Sequence, residues 1–431
     1  MKFIFNIIII FFFYTFAFAE NNIKFFINAA LKNNLELNAE RKNQKSIKEN
    51  INISRSEFLP SLSISGNQTS SKSTNRTDQN GTNLKDTNSD SETKTVSIDQ
   101  KIFQGFKGYN SLKKSELEFK QADYKLKQTK QQTILDTASS YFDFIFKNKN
   151  EKFNQSNVNL FERQVESDSA RLQKGEITLT DLAQSESSLA GANADLIKAT
   201  TELLATKTNF ERITREKTTN SNEFINKVNI DLPKSLNEAL GIAKKSNLDL
   251  LIAQLEFKIS EKELNIEKAK LSPSASINFS KSENNEFSST VDEQDQETVR
   301  ATITWPIIKG GENISSIKKS SLNKQRSLLL LEDVENKVVT NTINTWSKYQ
   351  SSQSVLRATK AQLKAAEIAN EGITLEYDSG NTRTTLEVIQ STSLLLDARI
   401  SFAKAERDFI ISKFELSFQL GTLSLDSVSE V

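Results

Sequence analysis

Two hydrophobic periods divide this chain between them. After Pro60, Leu62, Ile64 and Gly66 alternate with Ser61, Ser63 and Ser65, and further on Val96, Ile98 and Ile102 stand against Thr95, Ser97, Asp99 and Lys101. The pattern returns where Ala275, Ile277 and Phe279 alternate with Ser274, Ser276, Asn278 and Ser280, and where Val299, Ala301, Ile303 and Trp305 alternate with Arg300, Thr302 and Thr304. A period of two predicts strands with one apolar and one polar face. Such strands are what a membrane β-barrel needs; the alternative is a soluble hairpin laid on a core. The segments between partners, Ser70–Ser91 and Lys281–Glu297, are rich in Ser, Thr, Asn, Asp and Glu and read as solvated loops.

The second period is helical. From Gly108 to Gly175 and from Gly311 to Gly380 there is no proline, and Gly372 is the one interior glycine. Each stretch, read as a single helix, could reach about 100 Å at 1.5 Å per residue, far more than a globular core needs. Each is followed by a heptad seam. Leu182, Ser185, Leu189, Ala192, Leu196, Ala199, Leu203, Thr206, Phe210 and Ile213 form the first. Val388, Ser391, Leu395, Ala398, Phe402, Ala405, Phe409, Ser412, Leu416 and Gln419 form the second. Large residues alternate with small ones, so a neighbouring helix can approach closely. The pattern fits a tube wall or an ordinary antiparallel helical hairpin.

These elements occur twice. Asn34-Leu35-Glu36-Leu37 recurs as Asn247-Leu248-Asp249-Leu250 and Pro60 as Pro273, at an offset of 213, while Gly105 matches Gly310 and Gly175 matches Gly380 at 205. The slip falls between Pro60 and Gly105, where a longer loop in the first copy accounts for it. The organisation expected is a first repeat over residues 20–232 and a second over 233–431, joined at Pro233. Residues 1–19 stand apart. Lys2, an apolar run from Phe3 to Phe18 and the ending Ala17-Phe18-Ala19 read as a secretory signal peptide cleaved before Glu20.

Composition removes most other readings. The chain has 56 Lys plus Arg against 55 Asp plus Glu, so neither a basic nucleic-acid surface nor an acidic tail is expected. Without cysteine or histidine it has no disulfide, no thiolate or imidazole metal site and no histidine base, and the missing cysteine argues against a lipid anchor. Carboxylate pairs and Ser–Lys pairs remain chemically possible, but none forms a constellation; the expectation is no enzyme and no cofactor. A further class to weigh is an exported coiled-coil structural or adhesive surface protein, which would have no reason for four amphipathic strands placed symmetrically. Those strands also bear on assembly. A membrane barrel must close, the smallest have about eight strands, and three chains of four would give twelve with room for a lumen.

Tandem helix–hairpin–helix repeats, the stretch Tyr377-Asp378-Ser379-Gly380-Asn381-Thr382-Arg383-Thr384-Thr385-Leu386-Glu387-Val388 and the ending Phe418-Gln419-Leu420-Gly421-Thr422-Leu423 resemble the TolC family of outer-membrane channels. The resemblance implies a mainly α fold with a membrane β-barrel: a homotrimer whose 12-stranded β-barrel sits in outer-membrane lipid and continues as a 12-helix α-barrel across the periplasm. It implies the exit duct of a tripartite efflux pump or type I secretion system, docked to a periplasmic adaptor and fed by an inner-membrane transporter. At the periplasmic gate, Arg383 matches an arginine that bonds to a Thr and an Asp on a neighbouring turn, here Thr180 and Asp181. Tyr377 is the candidate for the tyrosine of that link. Glu387 matches the first of two acidic rings, and Gln390 stands at the second, a departure that predicts weak block by divalent cations.

Overall fold

The computed structural model describes residues 22–218, 228–288, 291–379 and 383–430. The expected signal peptide, and Gly380, Asn381 and Thr382 of the second turn, lie outside them. The chain begins with α1 (Ile23–Asn33), α2 (Leu35–Ser56), β1 (Ser61–Ser73), β2 (Thr87–Gln104), α3 (Lys107–Gln173), α4 (Leu179–Thr214) and β3 (Val228–Ile230). The same order then returns as α5 (Leu236–Ser246), α6 (Leu248–Ala269), β4 (Ser274–Ser288), β5 (Val291–Thr304), α7 (Glu312–Asp378), α8 (Thr385–Leu420) and β6 (Val428–Glu430). Corresponding helices match in length: 11, 22, 67 and 36 residues in both copies. Among the described residues no helix is long and apolar enough to cross a membrane.

Two compact units cut across both copies. One holds Ala39–Thr129 and Leu240–Asn341, the other residues up to Asn38, Lys130–Ala239 and Thr342 onward. The first contains a four-stranded antiparallel sheet in the order β1-β2-β4-β5. Its register places Leu62, Ile98, Phe279 and Val299 side by side in one row, and Ser63, Ser97, Ser280 and Thr298 in the next, on the opposite face. Ser61, Asp99, Asn278 and Arg300 form a second polar row. The alternation read along each strand is thus an alternation of whole rows across the sheet.

The hairpins run further than the sequence suggested. Much of the expected loop Ser70–Ser91 is the paired end of β1 and β2, and in the second copy β4 reaches Ser288 and β5 starts at Val291. Past Gly66 both faces are polar, as in the row Asn67, Thr93, Asn284 and Gln294. These are solvated strands, held by ladder hydrogen bonds and cross-strand pairs such as Thr93 with Asn284 (2.9 Å).

The second unit is helical and has the chain's main core. Ile23, Phe26 and Ile27 of α1 pack with Ile134, Ala138, Tyr141 and Phe142 of α3, Phe210 of α4 and Phe414 of α8. The rings interlock, Phe26 lying 4.8 Å from Phe210 and Tyr141 5.2 Å from Phe142 between centroids, both edge-on. The short strands β3 and β6 pair antiparallel and close this core with Val228, Ile230 and Val428. Both heptad seams face inward: every seam position named above is buried or half-buried.

Candidate functional site

Each long helix ends at a turn, and the helices that leave the two turns start with the same kind of cap. At the first, Gly175 takes φ +75°, a left-handed conformation that glycine adopts without a Cβ clash. Its N–H bonds back to the Leu172 carbonyl, and the Glu176 N–H to that of Arg171. Thr178 then caps α4: its hydroxyl accepts from the Asp181 N–H, while the Asp181 carboxylate accepts from the Thr178 N–H (2.9 Å) and hydroxyl (2.7 Å). Thr384 and Glu387 repeat this reciprocal cap on α8. These bonds satisfy backbone donors that a helix start leaves unpaired. The Thr178 and Thr384 backbone N–H groups hold the Asp181 and Glu387 carboxyls below the usual carboxylate range; Arg383 adds to the effect on Glu387.

Within the single chain, Arg383 does not reach Thr180 or Asp181. Its Nε donates to Glu376 (2.6 Å) and its Nη1 to Glu387 (2.9 Å), so the guanidinium ties the end of α7 to the first turn of α8. Thr180 lies exposed on the first turn of α4, and Gln390 lies exposed on α8.

Tyr377 is different. It is buried, and its hydroxyl donates to Asp168 Oδ1 of α3 at 2.7 Å and lies 3.1 Å from the Thr385 hydroxyl. Asp168 is fully buried; it also accepts from Gln164 at Oδ1 and from the seam serine Ser185 at Oδ2. The Arg171 guanidinium lies 4.4 Å from the centre of the Tyr377 ring. Burial pushes the Tyr377 phenol up from its ordinary value, so it stays a proton donor at neutral pH. One carboxylate therefore gathers donors from α3, α4 and α7. A buried acceptor of this kind is costly unless all its bonds are made together, so the node fixes the two helical hairpins to each other. Tyr377 and Ser185 stand out in the sequence; nothing local marks Asp168 or Thr385.

With an open amphipathic sheet in one unit and paired helical hairpins in the other, the comparisons with known proteins are decisive. The sequence profile of outer membrane efflux proteins matches residues 26–214 and 239–422, one segment in each copy. The chain belongs to the outer membrane efflux protein family. It is 24% identical over 403 residues to the outer membrane efflux protein BepC of Brucella suis biovar 1 (strain 1330), covering 93% of this chain and 85% of that protein. It is 25% identical over 425 residues to the outer membrane protein TolC of Escherichia coli strain K12, covering 94% and 83%. Among solved structures, the CmeC outer membrane channel of Campylobacter jejuni superposes with a TM-score of 0.80 at 15% identity, over 94% of this chain and 86% of that one. VceC of Vibrio cholerae does so with a TM-score of 0.77 at 17% identity, over 93% and 96%. This efflux protein is an outer-membrane transport protein, and its family is one of ducts, not of enzymes.

Proposed function

We propose that three copies of the chain assemble into one passive exit duct, with twelve strands closing a β-barrel in outer-membrane lipid and twelve long helices continuing it as an α-barrel through the periplasm. The observation that carries this reading is the sheet. Its four strands alternate in direction and leave β1 and β5 as unpaired, oppositely running edges, so β5 of one copy can pair antiparallel with β1 of the next. In lipid no backbone edge can stay open. Three copies give twelve strands and leave a lumen, whereas two would give eight and a filled interior. The row Leu62, Ile98, Phe279 and Val299 then meets lipid, and the Ser, Thr, Asn, Asp and Arg rows line a wet interior. Exposed Phe58, Phe106 and Trp305 sit where the strands end and the helices begin, as an interfacial aromatic girdle requires.

The duct works with a periplasmic adaptor and an inner-membrane transporter that supplies energy and selects cargo; it opens when the adaptor docks at the helix turns. In its closed state Arg383 binds Thr180 and Asp181 of a neighbouring turn. The geometry leaves atoms for this: Nη2 of Arg383 and Oδ1 of Asp181 make no hydrogen bond among the described residues. Arg383→Ser should raise single-channel conductance and open time in planar bilayers. Glu387→Gln keeps the cap, since Gln also serves at that position, and should lower cation preference without widening the pore. Unchanged conductance in the first and unchanged selectivity in the second would remove these residues from the gate.

A further inference from the structure

The helical unit holds a cavity of about 340 Å³ between α3, α7 and α8, at the start of β3. That volume lies within the range of small-molecule sites. Its body is apolar, walled by Phe142, Phe146, Leu356, Phe409 and Ile410. A wetter recess of about 590 Å³, bordered by Trp346, Tyr349 and Gln353, adjoins it, and Lys413 and Asn229 line both.

The other charges around the apolar cavity are matched. Lys149 pairs with Glu406 at 2.9 Å, and Arg407 pairs with Asp143 at 2.6 Å and with Asp408. Lys413 has no such partner: no carboxylate of the described residues lies within ion-pair distance of it, and its ammonium rests over the Phe409 ring, 4.5 Å from the centroid. Burial pushes its pKa down from the ordinary lysine value. A partly desolvated cation between an apolar chamber and a polar recess is costly without an opposite charge. An anionic head on an apolar body would supply that charge and fill the chamber together.

We infer that this cavity is a binding site for a small amphipathic carboxylate, its head on Lys413 and its apolar body between Phe142, Phe146 and Phe409. The site is separate from the helix turns and does not depend on the gate described above.

The test uses the full-length protein in lipid nanodiscs, free of detergent, labelled with a decanoate carrying a photoreactive diazirine. A decylamine with the same diazirine is the control for plain lipophilicity. Labelling mapped by mass spectrometry should saturate on peptides containing residues 142–149 and 403–413 and be displaced by unmodified decanoate. It should fall at least tenfold in both Lys413→Met and Lys413→Gln, recover in Lys413→Arg, and be absent there with the amine probe. Two variants guard against one that fails to assemble, and wild-type particle size is required of each. Labelling that does not saturate, that the amine matches, that survives loss of Lys413, or that is missing from these peptides overturns the site. The last result would show the cavity covered in the assembled protein.

Discussion

At the α3–α4 turn, Thr178 and Asp181 cap the returning helix, and the seam serine Ser185 bonds to the carboxylate of Asp168. At the α7–α8 turn, Thr384 and Glu387 do the same capping, but the matching seam serine Ser391 is held by the neutral amide of Asn370 (3.0 Å). The frames are alike because the same local rules build both: a reciprocal cap and a heptad seam. The difference lies in what each adds. The first turn offers a buried carboxylate with acceptor capacity to spare; the second offers the donor that fills it, Tyr377. The second also carries the exposed cation Arg383, bonded to Glu376 and Glu387, where the first copy has Ile177. Duplication thus yields two different halves of one tie and places an arginine directly before the cap on the second turn only.

The most disruptive way to break this comparison is Asp168→Ala, which takes the acceptor from the buried Ser185 hydroxyl and leaves Tyr377 with only its contacts to Thr385 and Gln164. Each unsatisfied buried group costs about 1–3 kcal/mol, so amide exchange at residues 164–173 and 371–378 should quicken by roughly tenfold or more. Unchanged exchange would mean that the node does not tie the hairpins. Tyr377→Phe removes the hydroxyl that joins α7 to Asp168 and Gln164 of α3 and keeps the ring under Arg171. Its effect should be smaller, about 1–2 kcal/mol, and it should add little to Asp168→Ala, because the two share one bond. A fully additive double mutant would place Tyr377 outside the node.

Much of this architecture is legible in the sequence, because helices, seams and strand faces are written in local periods. Leu189 and Leu395 announce their burial by spacing alone, and the row through Phe279 follows from alternation. The two caps are legible as well, since Thr178-x-x-Asp181 and Thr384-x-x-Glu387 carry the capping-box spacing. Asp168 is not. On α3 it resembles any solvated acid, and its burial depends on Tyr377, 209 positions away. The strand tips beyond Gly66 were hidden for another reason: both faces are polar, so only pairing with a neighbour reveals them. Likewise β3 and β6, three residues each, are defined by each other and by nothing local.

The pH dependence sharpens the comparison at its mildest end. Asp181 and Glu387 have depressed carboxyl pKa values in the folded chain, so their contribution to the caps is fully present above the ordinary carboxylate range, about pH 4, and is lost as pH falls through the lower folded values. Helix-start protection at residues 179–182 and 385–388, corrected for intrinsic exchange, should decline only in that acidic range. A decline already complete at pH 6 would contradict the cap assignment.

The claim on which the duct depends is closure between copies through β1 and β5, and the absence of cysteine makes it directly measurable. Chains carrying one cysteine on the polar face of β1, at Ser63 or Ser65, and one on the polar face of β5, at Thr298 or Thr302, should be oxidised in outer membranes and separated by mass under denaturing conditions. Edge-to-edge closure of three copies predicts that at least one such pairing gives covalent dimers and then a covalent trimer, with nothing larger, while neither cysteine alone does. Only intrachain products across all pairings, a ladder that stops at dimers, or one that continues past three would contradict it.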